Sequence, residues 1–349
     1  MDETDGAARQ RGGRARGQAR RPVTSYEVAR LAGVSQPTVS RALRGERIAE
    51  ATRQRVLSAA EALGYVPSDA GRSLSTRVTK RVGVVLSDLS NTFYLAVLDA
   101  LERHLDAAGC RVTLFRHGDD ELTLAQLAAG AVDGVVLTSV TLGSSLPRDL
   151  HRRGVATVLL NRETDDFVTD VCVSHNIQGA ELVAAKFHQL GHQRVGAILG
   201  PANVSTGRDR AAGFRAGLAA CGIVLRPECC REVPYRHEAG HDALLSIMSA
   251  KRPPTAIFCG NDVLAIGALN AAHGIGIVIP ADLTVIGYDD VPMSAWERFS
   301  LTTVRQGIDR MSRIATELLL SRIADPGLLP RRSVVEPDLV ERGTHGAPA

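Results

Sequence analysis

A chain of 349 residues is too long for one small core, so two or three compact units are expected. Its 44% hydrophobic content suffices for large buried cores, while a net charge of +3 by itself says little about partners. No apolar run reaches the roughly 18 residues that span a bilayer, and no apolar stretch near the start could serve as a signal-peptide core. These readings exclude a membrane partner and lead to the expectation of a cytoplasmic protein. The six cysteines, Cys110, Cys172, Cys221, Cys229, Cys230 and Cys259, are scattered without a CxxC pair. Neither a zinc site nor any other metal site is expected of them, and reduced thiols are.

In chain order, residues 1–21 form a basic leader with Arg9, Arg11, Arg14, Arg16, Arg20 and Arg21 set among Gly and Ala. The pattern reads either as a disordered solubilising tail or as the electrostatic footprint of a polyanion partner. Residues 22–64 carry short helical patterns. Thr24-Ser25-Tyr26-Glu27 fits a capping box, and the helix it opens would turn Val28, Ala29 and Leu31 inward. Gly33 suits a turn, and Ser35 can cap a second helix over Gln36–Leu43 with Val39, Ala42 and Leu43 buried. Gln36, Pro37, Ser40 and Arg41 then face outward, where side chains reach base edges, and the Ser35 and Thr38 hydroxyls suit phosphates. A third helix is expected over Glu50–Leu63, ending at Gly64.

Residues 65–80 read as a polar hinge and residues 81–342 as an α/β alternation. Strands are expected at Arg81–Leu86, Arg111–Phe115, Val132–Thr138, Ala156–Leu160, Arg194–Leu199, Ala256–Cys259 and Leu283–Tyr288, with a helix near Phe93–Ala108. Short apolar runs between amphipathic helices are the pattern of parallel strands covered on both faces. Two lobes are expected, with the chain changing lobe near 174–179 and again near 304–308. Residues 343–349 lack periodicity and are expected to be loose. Polar groups stand at several strand ends: Asp88 and Asn91, Asn161 and Arg162, Asn261 and Asp262, Asp289 and Asp290. Arg208 and Arg210 lie in the stretch GPANVSTGRDRAAGF.

The run VTSYEVARLAGVSQPTVSRALRG resembles the DNA-binding segment of the lactose/galactose repressor family, and YVPSDAGRSLSTR resembles that family's hinge. The core opening VGVVLSDLSNTFYLAVLDALE also resembles the family, whose core shares the fold of periplasmic sugar-binding proteins. The resemblance implies an all-α helix-turn-helix domain with a hinge helix, joined to a two-lobed α/β core that encloses a small effector. It implies DNA contacts at Thr24, Tyr26, Ser35, Gln36, Pro37, Thr38, Ser40, Arg41 and Arg72, with Leu74 as a minor-groove wedge. Gln36 and Pro37 fall where the family chooses its operator. Effector contacts carry over to Asn91, Phe93, Tyr94, Asn161, Arg210, Asn261 and Asp289, with Tyr235 stacking on the ligand and Gln306 closing the site. The sequence departs from the family at Gly71 in the hinge, at Ala49 before the third helix, and at Thr92, where proline is usual.

The function expected is therefore a transcription regulator, a repressor in the family's usual mode. Its partners would be operator DNA, a second copy of the chain and an effector, most simply a sugar or sugar derivative. A purine or nucleoside effector is the alternative. An NAD-dependent enzyme is disfavoured because no GxGxxG follows the first strand, no P-loop occurs, and no GxSxG elbow is present. No cofactor is expected. A free sugar-binding receptor would need a signal peptide and would have no use for residues 22–77.

Overall fold

The computed structural model describes residues 21, 23–66, 78–129 and 132–348, and the chain divides into two units between Val78 and Thr79. The expected leader, apart from Arg21, lies outside the described residues, as does most of the hinge, including Arg72 and Leu74.

The first unit holds helices α1 (Ser25–Ala32), α2 (Gln36–Leu43) and α3 (Glu50–Leu63). Gly33 and Gly64, at φ 63° and 61°, end α1 and α3 in the left-handed region where glycine carries no steric penalty. Val28, Val39 and Val56, one from each helix, form the fully buried centre, with Ala29, Ala32, Ala42, Ala59 and Ala60 around them. The expectation for Leu31 fails. Val28, Ala29 and Ala32 share the inward face at helical spacing, leaving Leu31 56% exposed at its margin. Ala49 opens α3 without a side-chain cap.

The second unit contains two six-stranded sheets. The first is built from β1 (Arg81–Leu86), β2 (Arg111–Arg116), β3 (Gly134–Leu137), β4 (Ala156–Leu160), β5 (Asp170–Ser174) and β11 (Arg332–Val335), in the order β11-β5-β4-β3-β1-β2. The second contains β6 (Val195–Leu199), β7 (Cys230–Glu232), β8 (Ala256–Cys259), β9 (Thr284–Asp289), β10 (Thr302–Arg305) and β12 (Asp338–Val340), in the order β12-β10-β9-β8-β6-β7. Strands pair in parallel except β10 with β12. Period-two alternation sends Val82, Val84 and Leu86 of β1 to one face and Val85 to the other. Helices α4 (Thr92–Ala107) and α11 (Ile308–Ala324) cover the first face, and α5 (Asp120–Ala129) and α6 (Leu146–Arg152) the second. Around the other sheet, α7 (Asn176–Gln189) packs on α8 (Ser205–Ala220), and α9 (His237–Met248) on α10 (Asp262–Gly274).

The chain changes sheet three times. These changes come after β5, after β10 and between β11 and β12. At the start of the unit, Asp133 accepts hydrogen bonds from the backbone N–H groups of Thr79 and Lys80, so the last two residues of the expected hinge are held by the core.

The final segment differs from the loose tail expected. Thr344, 3% exposed, donates its hydroxyl to the Val285 carbonyl at 2.7 Å. Gly346 accepts from the Thr284 hydroxyl at 3.0 Å, and its carbonyl lies 2.9 Å from His192 Nε2. Burial lowers the His192 pKa, against the opposing effect of that carbonyl. Small polar residues without periodicity gave no sign of this, because the contacts are backbone and hydroxyl hydrogen bonds rather than apolar packing. Deleting residues 343–349 is expected to cost about 1–3 kcal/mol, the penalty for buried polar groups left unpaired. Chemical denaturation measures it, and unchanged stability would mean that the tail only decorates the lobe.

Candidate DNA-reading and effector sites

In the first unit the expected DNA-contacting side chains gather around the start of α2. Tyr26, Pro37 and Arg41 are exposed, while Gln36, Thr38 and Ser40 are half-buried. The Gln36 amide donates weakly to the Ser25 and Ser40 hydroxyls at 3.3 and 3.4 Å, bonds easily exchanged for a base edge. Ser35 stands at the N-cap position, yet its hydroxyl pairs with the Thr38 hydroxyl at 2.8 Å rather than capping the helix. At α1, the Glu27 carboxylate accepts from both the backbone and the hydroxyl of Thr24 at 2.7 and 3.0 Å, the reaching-back half of the capping box. These bonds hold the Glu27 pKa below its ordinary value.

In the second unit, eight of the nine expected effector residues line one small cleft: Asn91, Phe93, Tyr94, Asn161, Arg210, Tyr235, Asn261 and Asp289. The ninth, Gln306, is fully buried and donates to the Asp289 carboxylate at 2.6 Å. They come from both lobes because each stands at or just beyond a strand's C-terminal end or in the following helix, the crevice open α/β sheets use for ligands. The cleft is closed, with about 10 Å³ of free space, barely room for one water. Asn91 and Asn261 also cap helices, their Oδ1 atoms accepting from Phe93 N and Leu264 N at 3.0 and 2.9 Å. Their amide nitrogens remain for a ligand, as does the second lone pair of each oxygen. Gly200 makes room for the Tyr235 ring, since a Cβ at that position would overlap it.

Arg210, 3% exposed, organises the site. Its Nε donates to Asn176 Oδ1 at 2.8 Å, its Nη1 donates to the Gly260 carbonyl at 2.6 Å, and Nη1 lies 3.2 Å from Asp289 Oδ1. The guanidinium stacks 3.7 Å above the Tyr288 ring. Arg210 and Asp289, both expected effector contacts, are thus paired directly with one another. Burial, the largest influence, disfavours the Arg210 charge, but Asp289 together with Tyr235 and Tyr288 outweighs it and the pKa is raised. Burial pushes Asp289 up to about 6, with Arg210 and Gln306 pulling the other way. Burial and the neighbouring Asp289 hold Asp262 well above the usual carboxylate range. Asp289 and Asp290 both have positive φ, 127° and 55°, a strained turn for non-glycine residues. The Asp290 carboxylate anchors it, accepting from Arg342 at 2.6 Å and Arg305 at 2.7 Å. Arg208 sits 3.8 Å from Asp165.

Two cleft residues, Arg162 and Thr206, are missing from the set carried over from the sequence. Arg162 had a signal, its place directly after Asn161 at a strand end. Thr206, inside a helix, had none. Buried polar atoms without partners concentrate here: Asn161 Oδ1, Arg162 Nε, Gln306 Oε1 and, beside Thr206, the Tyr235 hydroxyl. Among the described residues no group of acidic, cysteine or histidine side chains could hold a metal ion.

The pattern of bacterial regulatory proteins of the lacI family matches residues 24–68, and that of the periplasmic binding protein-like domain matches residues 184–345. A HTH-type transcriptional repressor PurR from Erwinia tasmaniensis is 33% identical over 327 residues, covering 91% of this chain and 96% of that protein. This chain belongs to the lacI family. The ribose operon repressor of Escherichia coli K12 is 31% identical, covering 92% of this chain and 99% of that one. A structure of the Lac repressor dimer bound to operator and the anti-inducer ONPF superposes with TM-score 0.84 at 26% identity, covering 94% of this chain and 100% of that one. The lacI-family chain is thus a transcription regulator with a DNA-binding helix-turn-helix and an effector-binding core, as its sequence implied.

One prediction follows from the ion pair. Arg210→Met leaves the Asp289 carboxyl buried without its cation, and removing one partner of such a pair costs about 3–5 kcal/mol. The sign of its pH dependence is fixed by the raised folded pKa of Asp289. Between its unfolded value and about 6 the folded state holds the extra proton, so stability falls as pH rises through that window. Without Arg210 the folded pKa rises further and the window widens. Losing the bonds to Asn176 and Gly260 costs stability at every pH, so the penalty of Arg210→Met is expected to be smaller at about pH 5 than at about pH 8. Urea titrations at both values measure it, and a pH-independent penalty would show that Asp289 does not titrate as placed.

Proposed function

We propose that the protein is a cytoplasmic, homodimeric repressor whose operator affinity is set by a sugar or sugar derivative held in the interlobe cleft. The observation that carries this reading is the convergence of Asn91, Asn161, Arg210, Tyr235 and Asp289 on one cleft with several polar atoms unpaired. Carboxylate and guanidinium groups hold vicinal hydroxyls, and aromatic rings suit the C–H face of a sugar. The similar proteins include a ribose operon repressor and a cellobiose complex of the regulator CelR, which is 29% identical with TM-score 0.71 and covers 93% of this chain and 100% of that one. A purine or nucleoside effector is the second reading.

The DNA contacts proposed are those at the start of α2, joined by Thr24, Tyr26 and the hinge residues Arg72 and Leu74. Two-fold operators require two-fold protein symmetry. The surface we assign to the second subunit is an apolar groove of about 490 Å³ that includes Leu95, Ala96, Met293 and Trp296.

Two experiments test the reading. Gln36→Ala and Arg41→Ala are expected to change the operator sequence recovered by selection, each losing about 1–3 kcal/mol at its own base pair. Recovery of the wild-type sequence by both variants would reject the recognition face. Asp289→Asn is expected to abolish the ligand-induced change in operator affinity, read by fluorescence anisotropy with the ligand found in a melting-temperature screen of sugars and nucleosides. A full response at wild-type ligand concentrations would place the effector elsewhere.

A further inference from the structure

The cleft contains two guanidinium groups and one carboxylate. Asp289 is already the partner of Arg210 at 3.2 Å. Arg162, the second cation, also acts on the Asp289 charge, but among the described residues no carboxylate lies within ion-pair distance of it. Its Nη1 makes one long hydrogen bond to the Ser139 carbonyl at 3.4 Å, its buried Nε has no acceptor, and among the described residues it forms no ion pair. Nearby acids are engaged elsewhere: Glu163 with Arg332 at 2.9 Å, Asp209 with Arg208 at 2.7 Å, and Asp165 with the same Arg208. Leaving a guanidinium half-buried beside a second one is costly unless something negative joins them. The other unmet donor in the cleft, the Tyr235 hydroxyl, adds to the same demand. Burial raises the Tyr235 pKa, so this hydroxyl keeps its proton at neutral pH and can only donate to an anion. The unmet acceptors Asn161 Oδ1 and Gln306 Oε1 ask for the opposite, hydroxyl donors. One ligand satisfies both demands if it carries hydroxyls and an anionic group.

We propose that the effector is an anionic sugar derivative whose carboxylate or phosphate is seated against Arg162 and the Tyr235 hydroxyl, while its hydroxyls meet Asp289, Asn161 and Gln306. This deepens the reading of the cleft as the effector site and rests on it. Arg162 is then the residue that selects charged effectors over neutral ones, a role fitted by its planar fork of donors.

The test is calorimetric titration of the full chain with matched sets: glucose, glucuronate and glucose 6-phosphate, then ribose, ribonate and ribose 5-phosphate. A charged member is expected to bind about tenfold or more tightly than its neutral parent, the worth of one charge-assisted hydrogen bond. Whether the acid or the phosphate shows the gain identifies the group. Arg162→Gln is expected to bring charged and neutral members to similar affinity, and Arg162→Lys to keep part of the difference, with melting curves confirming that both variants fold. The inference is overturned if the neutral parent binds as well as its charged forms, if no charged member binds, or if the preference survives in Arg162→Gln. The cleft reading fails separately. Neutral binding that Asp289→Asn removes rejects only the charge requirement, whereas binding of any sugar that Asp289→Asn leaves untouched rejects the cleft as the effector site.

Discussion

The buried pair of Arg210 and Asp289 is where the sensing unit is held together. Through Nε, Arg210 grips Asn176 at the first crossing between lobes; through Asp289, it connects to Gln306 at the second. Any relative movement of the lobes has to bend the chain at these crossings. A ligand that touches Arg210 and Asp289 therefore touches both. This gives a physical route from binding to lobe arrangement, since a ligand shifts an equilibrium only by what it gains in one state over the other.

The pair is stable only because its surroundings are fixed. The ring of Tyr288 lies under the guanidinium, and the strained Asp289-Asp290 turn is pinned by Arg342 and Arg305. Arg342 directly precedes the final segment, whose Thr344 and Gly346 bind the backbone and side chains of the second sheet. This end of the chain is thus part of the support of the turn at Asp290, 52 residues before Arg342 in sequence.

Much of this was legible in the sequence. Capping and turn residues placed α1, α2 and α3, and apolar runs such as Arg81–Leu86 and Ala156–Leu160 gave strands to the residue. The strands that escaped, among them β5, β7 and β12, are short and open or run through polar residues, Asp170, Arg231 and Asp338. Their place is fixed by pairing with distant partners, which no local pattern encodes. The family resemblance brought eight effector candidates into one cleft, yet Thr206 was hidden because a threonine in a helix has no distinguishing local signature. The direct pairing of Arg210 with Asp289, and the anchoring of the tail, are long-range hydrogen-bond facts of the same kind.

The central claim is that one ligand in the cleft and one operator at the helix-turn-helix compete for or share the same arrangement of the protein. Linkage makes this a quantitative demand, because coupling between two sites is reciprocal and typically amounts to about 1–3 kcal/mol. The most direct measurement is ligand affinity by calorimetry, with and without saturating operator. The account predicts that operator changes ligand affinity by the same factor by which ligand changes operator affinity. Identical ligand affinities in both titrations, with operator binding still responsive to that ligand, would contradict it.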